Sequence, residues 1–360
     1  MTSIGDVGAV RVAAASGQGT RALGAIRAWL WSVATLVFLM VVVGGATRLT
    51  ESGLSITEWK VISGVVPPLS EAAWLAEFEK YKQIPQYAEL FPTMTLGQFQ
   101  TIFYWEWSHR ILGRLIGLVF ALPLAFFWIR GMIPPALKPK LVGLLALGGL
   151  QGAVGWWMVK SGLSGRVEVA QERLAIHLLL ASITLTFLIW LAVGLKPKAA
   201  DVVGAASRLK ATAIALVVLT LAQIGLGGLV AGLRAGYTYN TWPLMDGHFI
   251  PPLENLARLS PFWANLVDNV TTVQFNHRMV AYALFALALW HAFDVVRNAP
   301  GTAAAKRAIV VAGLVLCQAG IGIATLLTVV HLHVALTHQA FAMIVLAMAA
   351  VHARRMVDAK

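Results

Sequence analysis

Eight stretches of this chain, near residues 28–45, 102–129, 140–159, 172–194, 211–231, 273–295, 308–328 and 332–351, are almost free of charge and run for about 20 residues, the length that crosses a bilayer. A backbone inside hydrocarbon has to satisfy its own N–H and C=O groups, so each stretch predicts a membrane-spanning helix. Only 12% of the residues are charged and 58% are hydrophobic, whereas roughly a quarter of a soluble domain is charged. The expected fold is therefore an all-α polytopic membrane protein of eight transmembrane helices. One cysteine, Cys317, excludes an intrachain disulfide, so helix packing must stabilise the fold.

Lys and Arg are sorted by side. The N-terminal tail, the segments at 130–140, 195–210 and 297–307, and the C-terminal tail hold 16 of the 28. By the positive-inside rule that side is cytoplasmic, with both termini on it. The same asymmetry, together with anionic lipid, accounts for the net charge of +12 without a nucleic-acid partner. Residues 1–26, rich in Ala, Gly and Ser, read as a disordered cytoplasmic tail. The first apolar run exceeds a signal-peptide core and reads as an anchor.

The chain repeats itself. Gly44, Gly45, Gly53, Trp59 and Gly64 recur 183 residues later as Gly227, Gly228, Gly236, Trp242 and Gly247. His109-Arg110 recurs as His277-Arg278, Gln151 as Gln318 and His177 as His338. The eight helices therefore divide into two pseudo-symmetric four-helix bundles, with boundaries expected at 27–200 and 201–360. The first outer loop, 46–101, is longer than its counterpart, 232–272. Within it Trp74, Leu75, Phe78 and Tyr81 fall at helical spacing. They suggest either an amphipathic helix on the membrane face or ordinary loop packing.

His109, His177, His277 and His338 lie on the four even-numbered spans, each within about two turns of the outer end. Ionisable groups are expensive in lipid and persist where they face a bundle interior as ligands, relays or substrate contacts. Two histidines on alternate helices of a four-helix bundle can face each other, the arrangement for bis-histidine ligation of heme iron. Zinc or copper would need three or four clustered donors, and each half supplies two histidines and no cysteine partner. Arg110, Arg173 and Arg278, with Arg114 a turn further on, stand near these histidines as candidate propionate partners or as snorkelling cations. Glycines at 148, 149, 152, 155, 320 and 322 give room for a macrocycle or for close helix packing. His248, His291, His331, His333 and His352 read as interfacial or supporting residues.

The halves differ at one position. Glu106 stands one turn before His109, on the same face, and its counterpart before His277 is Gln274. A carboxyl there can move a proton or stabilise developing positive charge, whereas glutamine only hydrogen-bonds. A Glu paired to Arg110 or Arg173 is the structural alternative. The asymmetry suggests chemistry in the first half and a permanent heme as redox partner in the second.

The segment GGATRLTESGLSITEWK at 44–60, EWSHR at 106–110, FNHR at 275–278 and THQ at 337–339 together resemble the heme A synthase family, over about residues 28–353 and closest to its alphaproteobacterial and mitochondrial branch. Members of another branch carry a cysteine pair in the outer loops, absent here. The resemblance implies oxidation of the C8 methyl of heme O to a formyl group by successive hydroxylations, giving heme A for terminal oxidases. It implies heme b held by His277 and His338, substrate heme O flanked by His109 and His177, and Glu106 as an essential acid. It further implies a bacterial inner membrane with the heme sites toward the periplasm. Contact with the farnesyltransferase that forms heme O, and a homo-oligomer, follow from the resemblance alone. Two rivals fit parts of the pattern. A diheme b-type electron-transfer protein would use the four histidines but needs no acid in one pocket, and an inverted-repeat transporter conflicts with parallel four-helix repeats.

Overall fold

The computed structural model describes residues 17–195 and 206–358. Eight helices in it are long and apolar enough to cross a membrane: span 1 (Thr20–Leu49), span 2 (Leu96–Ile129), span 3 (Pro135–Gly162), span 4 (Gln171–Gly194), span 5 (Ser207–Gly232), span 6 (Val270–Asn298), span 7 (Ala303–Leu327) and span 8 (Leu332–Asp358). The boundary expected near residue 200 and the first 16 residues of the tail lie outside the described residues.

Several helices begin earlier than their apolar runs because polar residues cap them. Thr95 and Gln98 form a capping box that starts span 2 at Leu96. The Asn269 side chain accepts from the Thr271 and Thr272 amides and starts span 6 at Val270. At the N-terminus the expected tail is corrected: the helix of span 1 already runs from Gly17. Tertiary contact explains this, since Ile26 is fully buried and Arg27 donates to the Ala192 carbonyl at 3.2 Å.

Spans 1, 4, 5 and 8 pack on one another at the centre. Spans 6 and 7 complete a ring with 5 and 8, and spans 2 and 3 flank 1 and 4. The two outer pairs are unequal: spans 6 and 7 meet along their length, whereas spans 2 and 3 touch sparsely. Lipid tails are as apolar as leucine, so close approach and hydrogen bonds, rather than hydrophobic transfer, hold such helices together. Gly228 and Gly232 of span 5 show the approach, since a Cβ there would stand 2.8 Å from the Ala175 Cα and 2.6 Å from the Gln171 Cα of span 4. Gln339 of span 8 donates to the Val41 carbonyl of span 1 at 2.9 Å and ties the two halves together.

The two long loops lie on one face of the bundle. In the first, Ser70 caps a helix over Glu71–Tyr81. Its apolar side does not lie on lipid: Trp74, Phe78 and Tyr81 are buried against Phe99 and Phe103 at the start of span 2, and Leu75 is left exposed. The alternative of loop packing holds. On the same face an ionic cluster joins the halves, with Arg48 donating to Glu168 and to the Ala231 carbonyl, and Arg234 paired with Glu51 and Glu168.

Candidate functional site

One local rule builds four sites. Each of His109, His177, His277 and His338 lies against a glycine of the span before it: Gly44, Gly155, Gly227 and Gly322 respectively. A Cβ at those glycines would come within 3.0, 2.9, 3.2 and 2.7 Å of the imidazole. Only hydrogen leaves the ring its place, so here the glycine is a cradle. The remaining glycines of the expected small-residue runs are different, because Gly148, Gly149, Gly152 and Gly320 face open space.

Four residues before the cradle, one helical turn away, stands a second partner. The amide nitrogen of Gln151 lies 3.2 Å from His177 Nδ1, that of Gln223 3.1 Å from His277 Nδ1 and that of Gln318 3.1 Å from His338 Nδ1. Each also donates to the carbonyl of its own histidine. Before Gly44 the place is taken by Met40. His109 is near enough to His177, and His277 to His338, for their charges to interact, which pairs them within halves.

Around the histidines, each long loop is clipped to its even span by an arginine. Arg110 donates to the carbonyls of Ile56 and Glu58 and to Glu106. Arg278 donates to the carbonyls of Tyr239 and Leu244 and to Gln274. Ile56 and Tyr239 are repeat partners 183 residues apart, so the two clips follow one plan. The residue that differs is the acid. Glu106 is 3% exposed, and its carboxylate accepts from Arg110, from the Ser55 hydroxyl at 2.7 Å and from the Ile56 amide at 2.8 Å. Gln274, equally buried, donates instead to the Ala235 carbonyl at 2.8 Å. Glu106 thus shares the helix face of His109 and makes the pairing with Arg110 that was its structural alternative, with its oxygens also held by the loop.

The expected propionate partners are largely occupied by the same loops. Arg114 donates to the Lys60 and Val61 carbonyls. Arg173 stacks on Trp157 at 4.4 Å and donates to its carbonyl. Of the two readings of His291 and His352, interfacial or supporting, burial removes the first: both are fully buried and hydrogen-bonded to each other at 2.7 Å. It also passed over Gln223 and Met40. The glutamine-to-glycine spacing, present three times, is the signal that would have found them.

The donor set fits heme. The imidazoles come two to a neighbourhood, and among the described residues no three His, Cys, Asp or Glu side chains converge as a bare metal ion requires. Gln151, Gln223 and Gln318 each keep a buried Oε1 without a partner. A histidine that ligates through Nε2 carries its proton on Nδ1 and needs such an acceptor beside it.

Among characterised proteins, the chain is 61% identical to the heme A synthase of Beijerinckia indica over 93% of each chain. It is 59% identical to that of Methylobacterium sp. strain 4-46 over 92% of this chain and 91% of the relative. With that of Mesorhizobium japonicum it shares 55% identity over 91% and 90%. The family model for COX15-CtaA, described as cytochrome oxidase assembly protein, matches residues 27–350, which takes in all eight spans almost entirely, both long loops and all four cradled histidines. The chain belongs to the COX15-CtaA family of cytochrome oxidase assembly proteins.

Proposed function

We propose that this protein is a heme A synthase, an oxidoreductase that converts the C8 methyl of heme O to a formyl group by successive hydroxylations. The observation that carries the reading is the single charge difference between two otherwise matched clips, Glu106 against Gln274, in a chain whose relatives are heme A synthases. Residues 27–200 form the bundle that takes the substrate, between His109 and His177. Residues 201–360 form the bundle that keeps heme b, between His277 and His338. Bound heme b supplies one-electron redox chemistry, and the protein supplies ligands, position and electrostatics.

The sparse contact between spans 2 and 3 supports this division, because heme O is amphipathic and membrane-borne and can enter sideways from lipid. The close contact of spans 6 and 7 suits a cofactor that does not leave. Glu106 accepts hydrogen bonds from three donors and therefore holds a fixed negative charge one turn from His109. Such a preorganised charge favours positive charge developing on the substrate. Arg173, less tied to loop backbone than Arg110 or Arg278, is the best placed to meet a propionate. The bacterial relatives support a bacterial inner membrane, and the charge asymmetry supports both termini in the cytoplasm and the histidines toward the periplasm. Contact with the heme O-forming farnesyltransferase and self-association are part of the same reading.

The test is to purify the protein in detergent, extract its hemes with acid and acetone, and separate them by reversed-phase chromatography with mass detection. Heme B together with heme O, heme A or a hydroxylated intermediate is expected. Heme B alone at two per chain would favour a diheme electron-transfer protein.

A further inference from the structure

We propose that Met40 makes His109 the most weakly held of the four histidines, so that the N-terminal site has one replaceable axial position and the C-terminal site has none. This rests on the reading of the histidines as heme ligands. Three of the four imidazoles are clamped. A glutamine one turn from the cradle glycine places its amide nitrogen 3.1 to 3.2 Å from Nδ1 of His177, His277 or His338. The same amide donates to the backbone carbonyl of that histidine at 3.0 to 3.1 Å, which fixes the amide to the helix. Its buried Oε1 is unused. An amide held in this way reaches both a ring nitrogen and the backbone of the same histidine, and such a partner restricts ring orientation.

Methionine can do neither. Its thioether has no N–H and accepts poorly, and its methyl is directed at Gly113, where a Cβ would stand 3.2 Å away. Partners of this kind typically change ligand affinity by about 10- to 100-fold. The missing clamp also falls in the half whose outer spans part and whose clip carries the acid, where a substrate has to be bound, processed and released.

Carbon monoxide on the reduced protein is the probe, with heme content counted by extraction on every sample. With heme in both sites, wild type is expected to bind one carbon monoxide per two hemes. Met40→Gln should weaken that binding by about 10- to 100-fold at unchanged heme content. Gln223→Met should make the second heme reactive as well. Carbon monoxide binding by Met40→Gln equal to wild type, or a loaded N-terminal site inert in wild type, would overturn the proposal. If Met40→Gln folds poorly, Gln223→Met decides alone, since a second heme still inert would overturn it. The underlying reading fails separately: a His338→Ala protein that takes up no added heme O would remove His109 and His177 as its ligands, whatever Met40 does.

Discussion

The two long-loop clips are nearly the same object built twice. In each, an arginine on an even span gathers two loop carbonyls and reaches the residue one turn before the histidine, and the Ile56 and Tyr239 carbonyls occupy equivalent places. What changes is the charge of the residue reached. Glu106 accepts from its loop and Gln274 donates to its loop, so the backbone groups opposite them are inverted, an amide and a hydroxyl in one case and a carbonyl in the other. A repeat can thus conserve the scaffold of a site while one half acquires a fixed charge. The lining differs in the same direction, with Met40 in the first half where the second has Gln223.

The comparison breaks most visibly if the wrong half holds the stable heme. His277→Ala or His338→Ala should leave the purified protein without its heme b, whereas His109→Ala or His177→Ala should keep heme b and abolish product. Pyridine hemochrome spectra with chromatographic extraction read both outcomes, and a reversed pattern would exchange the roles of the halves.

Next in size is the charge itself. Glu106→Gln removes the charge while keeping one acceptor oxygen for Arg110. Heme A formation should fall by about 100-fold or more with heme b retained. Gln274→Ala, which removes the buried bonds to the Ala235 carbonyl and from Arg278, each worth about 1 kcal/mol, should leave formation near wild type. Loss of heme b from Glu106→Gln would make the acid structural.

The cradles give a graded test. Gly322→Ala pushes a methyl to 2.7 Å from the His338 ring, and Gly227→Ala to 3.2 Å from the His277 ring, so the first should lose more heme b than the second. Gly148→Ala, which meets only open space, should lose none. Equal heme content in all three would show that the glycines do not set the imidazole positions.

The smallest effect lies in the loops. Lys60 and Lys80 both sit 2.7 Å from Glu58 and hold its carboxyl down at about 2, below the ordinary 4.5. A lowered carboxylate stabilises what it pairs with above its ordinary range and stops doing so as the pH falls toward 2. Amide protection in residues 58–82, taken relative to the intrinsic exchange rate at each pH, should therefore fall slightly between pH 4.5 and pH 2, while the second loop, which has no counterpart of this cluster, responds less. The pairs are exposed, so a large change would mean that the loop is held mainly by charge rather than by Trp74, Phe78 and Tyr81.

Much of this architecture was legible before any coordinates. Runs of apolar residues long enough to cross a bilayer have one backbone solution, so the eight spans follow from hydropathy. Matched glycines and histidines read as a repeat, and the four histidines stood out because ionisable groups inside apolar runs need a reason. Boundaries were less legible, since Thr95, Gln98 and Asn269 extend helices past their apolar cores. The first helix was read ten residues short because Ile26 and Arg27 are ordered by span 4, a partner distant in sequence.

Side-chain direction was the part that composition and spacing left open. Periodicity put Glu106 on the face of His109, and only the fold of the first loop back onto span 2 turned its carboxylate to Ser55 and Ile56. The apolar side of the Glu71–Tyr81 helix had two possible partners until Phe99 and Phe103 were brought against it. His291 and His352 lie 61 residues apart, and nothing local announces their contact. Local pattern fixes which residues form helices and which faces they share, because hydrogen bonding within a helix and exclusion of water act over one turn. Which oxygen meets which donor depends on elements that meet in space, and that is settled by packing of the whole chain.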